Sequence, residues 1–183
     1  LEAPNIQLHY APAMVIDHGR KSAWGTGLSC HSCLLRPKSR GEVTLESADP
    51  FADPLIDPKF LTHPDDMQDM IDGYKAMMKV LNNASFSKYI SQNTQRPIDI
   101  NDDADIEKAI REEADTVYHP VGTCKMGDDD MSVVSNDLKV HKMKGLRVVD
   151  ASIMPTLVGG NTNAPTIMIG EKASDLIINE WRI

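Results

Sequence analysis

The chain has 183 residues, and its 41% hydrophobic and 25% charged content is ordinary for a globular domain and unlike that of a disordered chain. Its net charge of -8 at pH 7 argues against nucleic acid as a partner, because nucleic-acid-binding surfaces concentrate Lys and Arg. No run of about 18 apolar residues and no signal-peptide pattern occurs, so this sequence predicts neither a transmembrane segment nor export. Three cysteines, an odd and low count, suit a reducing compartment. We therefore expect a cytoplasmic location, with peripheral membrane association of a longer protein left open.

The N-terminal stretch predicts a strand followed by a loop. Residues 6–10 alternate apolar and polar side chains before an Ala-Pro step, which is typical of a strand that ends at the proline. His9 lies in this strand, and its role stays open. Residues 17–32 are rich in Gly, Ser and His and predict a loop. Cys30 and Cys33 have C-x-x-C spacing, but no second pair completes a zinc site, so we assign no metal ligands and leave the role of the two cysteines open.

The next segment predicts two strands around a turn and then an irregular connection. Residues 34–35 and 41–46 are strand-like, and the basic residues between them, at 36–40, are interpreted as a solvated turn. Three Asp-Pro steps between residues 49 and 58 block helix formation at the residue before each proline.

Two helices follow. From Met67 to Leu81 apolar residues recur at spacings of three and four, with Pro64 in the first turn and two asparagines after the end. A second helix is predicted with Asp103 as its cap and a buried face formed by Ile106, Ala109, Ile110 and Ala114.

The stretch TVYHPVGTCKMG, residues 116–127, combines a histidine with residues that fix its backbone. Val117 and Tyr118 favour an extended approach, Pro120 disfavours helical geometry at His119, and Gly122 permits a tight turn. Because imidazole titrates near neutrality, a held His119 suits general acid–base chemistry, although a structural histidine in a turn fits the same pattern. The acidic run that follows lacks the ligand spacing of a calcium loop and is interpreted as solvated.

The C-terminal part predicts two short strands and a helix. Residues 138–140 and 146–149 are strand-like, and a Gly-Gly-Asn approach leads to a helix with Thr162 or Asn163 as its cap and Pro165 in its first turn.

Three long stretches in the same order resemble signatures of the glucose-methanol-choline (GMC) family of flavin oxidoreductases. They are LRPKSRGEVTLESADP at residues 35–50, TVYHPVGTCKMG at 116–127, and GLRVVDASIMPTLVGGNTNAPTIMIGEKASDLI at 145–177. Within the family, the match is nearest to choline dehydrogenases and related bacterial alcohol dehydrogenases. The resemblance covers most of the chain.

The resemblance implies a fold and a domain division. We expect an α+β architecture, with a mainly antiparallel substrate-domain sheet backed by helices. Residues 1–145 would form the substrate-binding part, including the His119 loop. Residues 146–183 would form a strand-loop-helix segment that returns to an FAD-binding domain. The glycine-rich βαβ unit that holds FAD in this family has no counterpart in the chain, so we expect that the chain by itself is inactive and does not retain FAD.

The resemblance also implies roles for individual residues. His119 would exchange the hydroxyl proton of a primary alcohol, either choline or an aliphatic alcohol, while hydride passes to flavin N5, and Asn161 would orient the substrate oxygen. Asp150 and Ala151 would approach the phosphate and ribityl region of FAD. The remaining cofactor-binding residues would lie at the start of the last helix, beside the pyrimidine edge of the flavin: Asn161, Thr162, Asn163 and Thr166. The reduced flavin carries negative charge at this edge, and the helix dipole would stabilise that charge.

Two other functions stay open. A lyase of the same family would keep FAD and the histidine without net redox chemistry, and a binding module would keep only the scaffold. The expected partners are a small alcohol and a separate electron acceptor. The sequence does not fix which alcohol, which acceptor or which oligomeric state.

Overall fold

The computed structural model describes residues 3–21, 24–91 and 97–181. The chain divides into two units, residues 1–39 with 60–117 and residues 40–59 with 118–183, here called the first and second units. The predicted loop over residues 17–32 includes two residues, 22 and 23, that lie outside the described residues.

The first unit contains a two-stranded antiparallel sheet. Strand β1 (Ile6–Ala11) pairs with β2 (Ser29–Leu34), with His9 opposite His31. The predicted first strand is confirmed. The loop prediction is wrong over its last four residues, which belong to β2, because pairing with β1 overrides a weak local pattern.

Helix α1 (Pro64–Leu81) packs against this sheet and has the predicted bounds. Its cap is His63, whose Nδ1 accepts a hydrogen bond from the Asp65 amide at 3.2 Å. The helix approaches β1 closely at Gly73, where a Cβ atom would lie 3.0 Å from the Ile6 side chain. A short helix α2 (Ala84–Ser87) follows.

Helix α3 (Asp103–Glu113) completes the core of the first unit. Its buried Ile106 and Ile110 pack with Met67 and Ile71 of α1. The predicted cap at Asp103 is wrong by one residue. Asp102 has an extended backbone, so its carboxylate accepts from the Ala104 amide at 3.0 Å, whereas Asp103 is already helical.

Asp66, near the start of α1, ties the basic turn to the helix. Its side chain is 2% exposed and accepts hydrogen bonds from the Lys38 amide at 2.8 Å, the Ser39 amide at 2.7 Å and the Ser39 hydroxyl at 2.5 Å. Burial would raise the pKa of this carboxyl, but these hydrogen bonds from residues 38 and 39 outweigh it and lower the pKa. The three basic side chains of the turn are exposed, as expected.

The second unit contains a small hairpin and a helix-centred core. Strands β3 (Glu42–Thr44) and β4 (Leu55–Asp57) are antiparallel, and helix α4 spans Asn163–Trp181. Six buried residues form the core of this unit: Val134, Leu138, Ile153, Met154, Ile169 and Ala173.

The short strands predicted at residues 138–140 and 146–149 are present only as isolated bridges, for example between Lys139 and Arg147. Leu138 and Lys142 adopt left-handed backbone conformations, with φ of 65° and 63°, and such residues interrupt a continuous ladder. The prediction of regular strands here is wrong.

The α+β prediction is confirmed; among the described residues the regular strands form two separate two-stranded antiparallel sheets, and the other pairings are isolated bridges. The last boundary between the two units falls between Val117 and Tyr118, so the His119 loop belongs to the same unit as α4. The functional division expected at 145/146, into substrate-binding and flavin-binding parts, stays a prediction.

Candidate active site

A pocket in the second unit gathers most of the candidate residues. Its volume is about 260 Å³, and it lies beside the start of α4. The residues that line it come from three stretches of the chain: Tyr118, His119, Pro120, Ala151, Thr162, Asn163 and Thr166. None of them is a carboxylate, so His119 is the titratable group best suited to move a proton here at neutral pH.

The loop that carries His119 is held on its C-terminal side by the segment around residue 152. The Cys124 amide donates to the Ser152 carbonyl at 3.0 Å, and the Met126 amide donates to the Ile153 carbonyl at 2.8 Å. Gly122 has a φ of +86°, and a Cβ atom there would lie 3.3 Å from a backbone oxygen of residue 154. Glycine at this position therefore allows the close approach that places the His119 loop beside Ala151.

His119 itself is exposed, and its ring has no hydrogen-bond partner among residues 3–21, 24–91 and 97–181. The expected extended approach is wrong at Tyr118, which has a φ of +61°. Left-handed backbone is unusual for a bulky residue and concentrates at functional sites, where the surrounding structure enforces it.

The start of α4 presents polar groups to the pocket. Thr162 precedes the helix, and its carbonyl accepts from both the amide and the hydroxyl of Thr166, at 3.0 and 2.7 Å. Within the described part of the chain, the amides of Asn163 and Ala164 have no acceptor. Pro165 has no amide hydrogen, so these two are the open donors of the first turn.

Thr162 is buried, with 7% of its surface exposed, yet its hydroxyl has no hydrogen-bond partner among the residues that the structure describes. A buried hydroxyl without a partner is costly, and it lines the pocket next to the open amides. This combination fits an oxygen-rich, anionic ligand at the helix start. Thr166 is different, because its hydroxyl already donates to the helix backbone and can only accept from a ligand.

Asp150 and Asn161 flank the pocket along the chain without lining it. The Asp150 carboxylate accepts from the Ser152 amide at 2.7 Å and caps a 3-10 turn over Ala151–Ile153. This turn presents Ala151 to the pocket and buries Ile153 in the core. Asn161 is exposed and lies one residue before the buried Thr162.

The structure thus brings together five of the seven residues that the sequence singled out, namely His119, Ala151, Thr162, Asn163 and Thr166. Sequence reasoning missed Tyr118 and Pro120 as wall residues, although both lie next to the histidine. The open amide of Ala164 was also missed, and the proline one residue later was the available signal.

The other motifs form contacts of their own. Cys33 Sγ lies 3.3 Å from His9 Nε2, and burial raises the pKa of both Cys30 and Cys33, so neither thiol is activated. Among the described residues no group of three potential ligands could hold a metal ion. In the acidic turn, hydrogen bonds from Lys125, Ser132 and the Met131 amide lower the pKa of Asp129 to about 2.

Helices long and apolar enough to cross a membrane are absent from the described ranges 3–21, 24–91 and 97–181.

Comparison with known proteins identifies relatives of the whole chain. It is 48% identical over 179 residues to an alcohol dehydrogenase (acceptor) of Pseudomonas putida, a match that covers 98% of this chain and 32% of that protein. It is 42% identical over 174 residues to an oxygen-dependent choline dehydrogenase of Klebsiella pneumoniae, covering 95% of this chain and 31% of that protein. The chain therefore spans about a third of the length of these curated relatives.

Solved structures of two oxidases superpose on most of the chain. A formate oxidase variant of Aspergillus oryzae superposes with a TM-score of 0.87 at 29% identity, covering 97% of this chain and 32% of that one. A fungal aryl-alcohol oxidase superposes with a TM-score of 0.72 at 34% identity, over 82% of this chain and 25% of that one. The family model for GMC oxidoreductases matches residues 37–170, and the chain belongs to the GMC oxidoreductase family.

Proposed function

We propose that the chain is the C-terminal part of an FAD-dependent enzyme that oxidises a primary alcohol, choline or an aliphatic alcohol, to the aldehyde. The observation that supports this most is the pocket itself. It places an imidazole without a partner among the described residues next to a helix start with open amides and a buried, unpaired hydroxyl. The relatives named alcohol dehydrogenase and choline dehydrogenase support the same substrate class.

The residues at the start of α4 fit FAD. The amides of Asn163 and Ala164 and the Thr162 hydroxyl would donate to the anionic edge of the cofactor, and the helix dipole would add to the stabilisation. The Thr166 hydroxyl would accept a hydrogen bond. Asp150 and Ala151 would approach the phosphate and ribityl region through their backbone. Bound there, FAD supplies the hydride acceptor.

His119 would act on the alcohol from the open side of the pocket. Its imidazole would accept the proton of the alcohol hydroxyl while hydride leaves the carbon that bears this hydroxyl, which yields the aldehyde. Asn161 would orient the substrate oxygen through its amide, which cannot replace a base. The pocket residues that the structure describes include no carboxylate, so the proton would pass from His119 to solvent through the exposed face of the ring.

A lyase reaction is less well supported, because the relatives found are named dehydrogenases and oxidases. Anaerobic addition of alcohol to the complete protein separates the two reactions. Oxidation bleaches the flavin absorbance and yields aldehyde, whereas persistence of the oxidised spectrum during turnover would show a lyase. The electron acceptor is proposed to be a separate molecule, and the location is proposed to be cytoplasmic.

Asn161 has its own test in the complete flavoprotein. Asn161→Ala is expected to slow flavin reduction and to weaken binding of a substrate analogue, because the substrate oxygen loses a donor. If both quantities match those of the unaltered protein, the proposed role of Asn161 is wrong.

The 183-residue chain should not hold FAD by itself, because it has no glycine-rich βαβ turn to bind the pyrophosphate. Purification of this chain with a stoichiometric yellow cofactor would contradict this part of the proposal.

A further inference from the structure

Three consecutive residues, Tyr118, His119 and Pro120, all line one pocket. In an extended chain, consecutive side chains point to opposite faces, so adjacent residues do not normally line the same wall. The positive φ of Tyr118, +61°, breaks this alternation. The backbone at residue 118 therefore determines on which side His119 emerges.

The orientation of His119 depends on this backbone because little else fixes it. Its ring accepts and donates no hydrogen bond among the described residues, whereas ligating and catalytic histidines are commonly oriented by a second group. On its C-terminal side, Pro120 has a fixed φ and restricts His119 to extended geometry. On its N-terminal side, the left-handed Tyr118 supplies the turn.

The strain at Tyr118 is maintained by a loop that is anchored further along. Val121 packs against the core of the second unit, and Cys124 and Met126 are hydrogen-bonded to the segment around residue 152. A bulky residue keeps a left-handed backbone only where its surroundings enforce it.

We propose that Tyr118 is a positioning residue whose left-handed backbone aims His119 into the pocket. The phenol ring forms a wall of that pocket and limits the space beside the imidazole. This inference rests on the proposed function for its catalytic consequence. The orientation of the His119 ring can be measured independently of catalysis.

Three variants of the complete flavoenzyme separate the backbone from the side chain. Tyr118→Phe keeps the ring and loses the hydroxyl. Tyr118→Asn and Tyr118→Val both lose the ring and are similar in size, but asparagine tolerates left-handed geometry and a β-branched valine resists it. The measurements are the rate of anaerobic flavin reduction by alcohol and the ring carbon–proton resonances of His119 in ¹³C-histidine-labelled enzyme, assigned with His119→Gln.

The expected order follows from the backbone preference. Tyr118→Phe should reduce flavin within about threefold of the unaltered enzyme, the scale of an ordinary surface substitution. Tyr118→Val should reduce flavin at least roughly tenfold more slowly than Tyr118→Asn, because valine resists left-handed backbone geometry more strongly than asparagine does. Loss of the phenol ring changes the shielding of His119 equally in the Asn and Val variants, so the His119 ring resonances of Tyr118→Val should differ from those of Tyr118→Asn by a further shift or by broadening.

Two results would overturn the inference: equal rates and equal His119 spectra in the Asn and Val variants, or a loss in Tyr118→Phe as large as that in Tyr118→Val. If His119→Ala left flavin reduction unchanged, the proposed function would fail. The His119 spectra would still decide whether residue 118 orients the ring.

Discussion

Two polar sites in this chain have opposite hydrogen-bonding states. In the first unit, the buried Asp66 carboxylate accepts three hydrogen bonds from residues 38 and 39. In the second unit, the His119 ring and the buried Thr162 hydroxyl have no partner within the described ranges. A carboxylate whose acceptor sites are filled stabilises the fold, whereas open polar groups on an anchored loop and helix are available to a ligand.

The two sites are also held in place by different kinds of contact. Asp66 acts directly, as the acceptor that closes the turn at residues 38–39 onto α1. The pocket is supported indirectly, by backbone bonds from Cys124 and Met126 and by the hydrophobic core below it. Substitutions at the first site should therefore change stability, and substitutions in the pocket should change ligand binding and rate.

The largest effect on stability is expected for Asp66→Ala. It leaves the Lys38 and Ser39 amides without their acceptor, so the free energy of unfolding should fall by about 3 kcal/mol. Asp72→Ala is the control, because Asp72 is exposed and, among the described residues, its side chain accepts a hydrogen bond from Gln68 of the same helix alone, at 3.1 Å. Urea unfolding should show that the free energy of unfolding falls by less than about 0.5 kcal/mol in the control variant. Equal losses in both variants would refute the structural role of Asp66.

Gly122→Ala should have the next largest effect on stability. Its left-handed φ and the close backbone oxygen of residue 154 make a Cβ atom unfavourable, so we expect a loss of about 1–2 kcal/mol. The matched change Gly170→Ala lies inside α4, where the added Cβ would meet no atom within 4 Å apart from its chain neighbours and the backbone of its own helix, and it should instead stabilise by about 0.5–1 kcal/mol. Thermal unfolding of the two variants measures the difference. The same sign for both changes would show that Gly122 is not conformationally required.

Two threonines at the helix start should differ in their effect on FAD. Thr162→Val removes an open donor and should weaken FAD binding by roughly three- to tenfold in the complete protein, the scale of one hydrogen bond. Thr166→Val removes a hydroxyl that already donates to the Thr162 carbonyl, so its effect on FAD affinity should be smaller. Titration of the apoprotein with FAD measures both. A larger loss in Thr166→Val would reject the assignment of Thr162 as a donor.

The smallest effect concerns acid pH. The pKa of Asp129 is lowered from 3.8 to about 2 by hydrogen bonds from Lys125, Ser132 and the Met131 amide. A carboxyl with a lowered pKa in the folded state contributes stability above its unfolded pKa and loses it as pH falls through the folded value. The contribution should therefore disappear between about pH 4 and pH 2.

Because Asp129 is exposed, the change should be modest and weakened by salt. Unfolding measured across this pH range should depend less on pH in Asp129→Asn than in the unaltered chain. An unchanged slope in Asp129→Asn would mean that the loop bonds do not persist in solution.

Much of the local fold could be predicted because long periodic patterns determine it. Helix α1 has the expected bounds, and three of the four residues predicted for the inner face of α3 are buried. The fourth, Ala114, is wrong, because the helix ends at Glu113 and leaves Ala114 as an exposed C-cap. Predictions of helix ends were wrong where the backbone conformation of a single residue determines the cap. At the start of α3, Asp102 has an extended backbone and is therefore the cap, and the predicted Asp103 is not. The strands near residues 138–149 failed because left-handed residues interrupt them, and such conformations leave little trace in a sequence that has no glycine at those positions.

The site was predictable in composition but not in geometry. The resemblance to the GMC family singled out His119 and the start of α4, and the pocket contains residues from both. The left-handed Tyr118 was not predictable, because tyrosine favours extended backbone and only the anchored loop enforces the alternative. Neither was the Thr162 hydroxyl, since burial without a partner depends on packing from distant parts of the chain.

The most direct test of the account compares two loop histidines in the complete flavoprotein. His119 lines the pocket without a partner among the described residues, whereas His141 contacts the Gly127 carbonyl through Nε2 at 3.0 Å. Anaerobic rapid mixing with alcohol measures flavin reduction in His119→Ala and His141→Ala. We predict that the first variant is slower by about 10²-fold or more, the usual contribution of a positioned acid–base group, and that the second keeps most of the rate. Unchanged flavin reduction in His119→Ala would contradict the account.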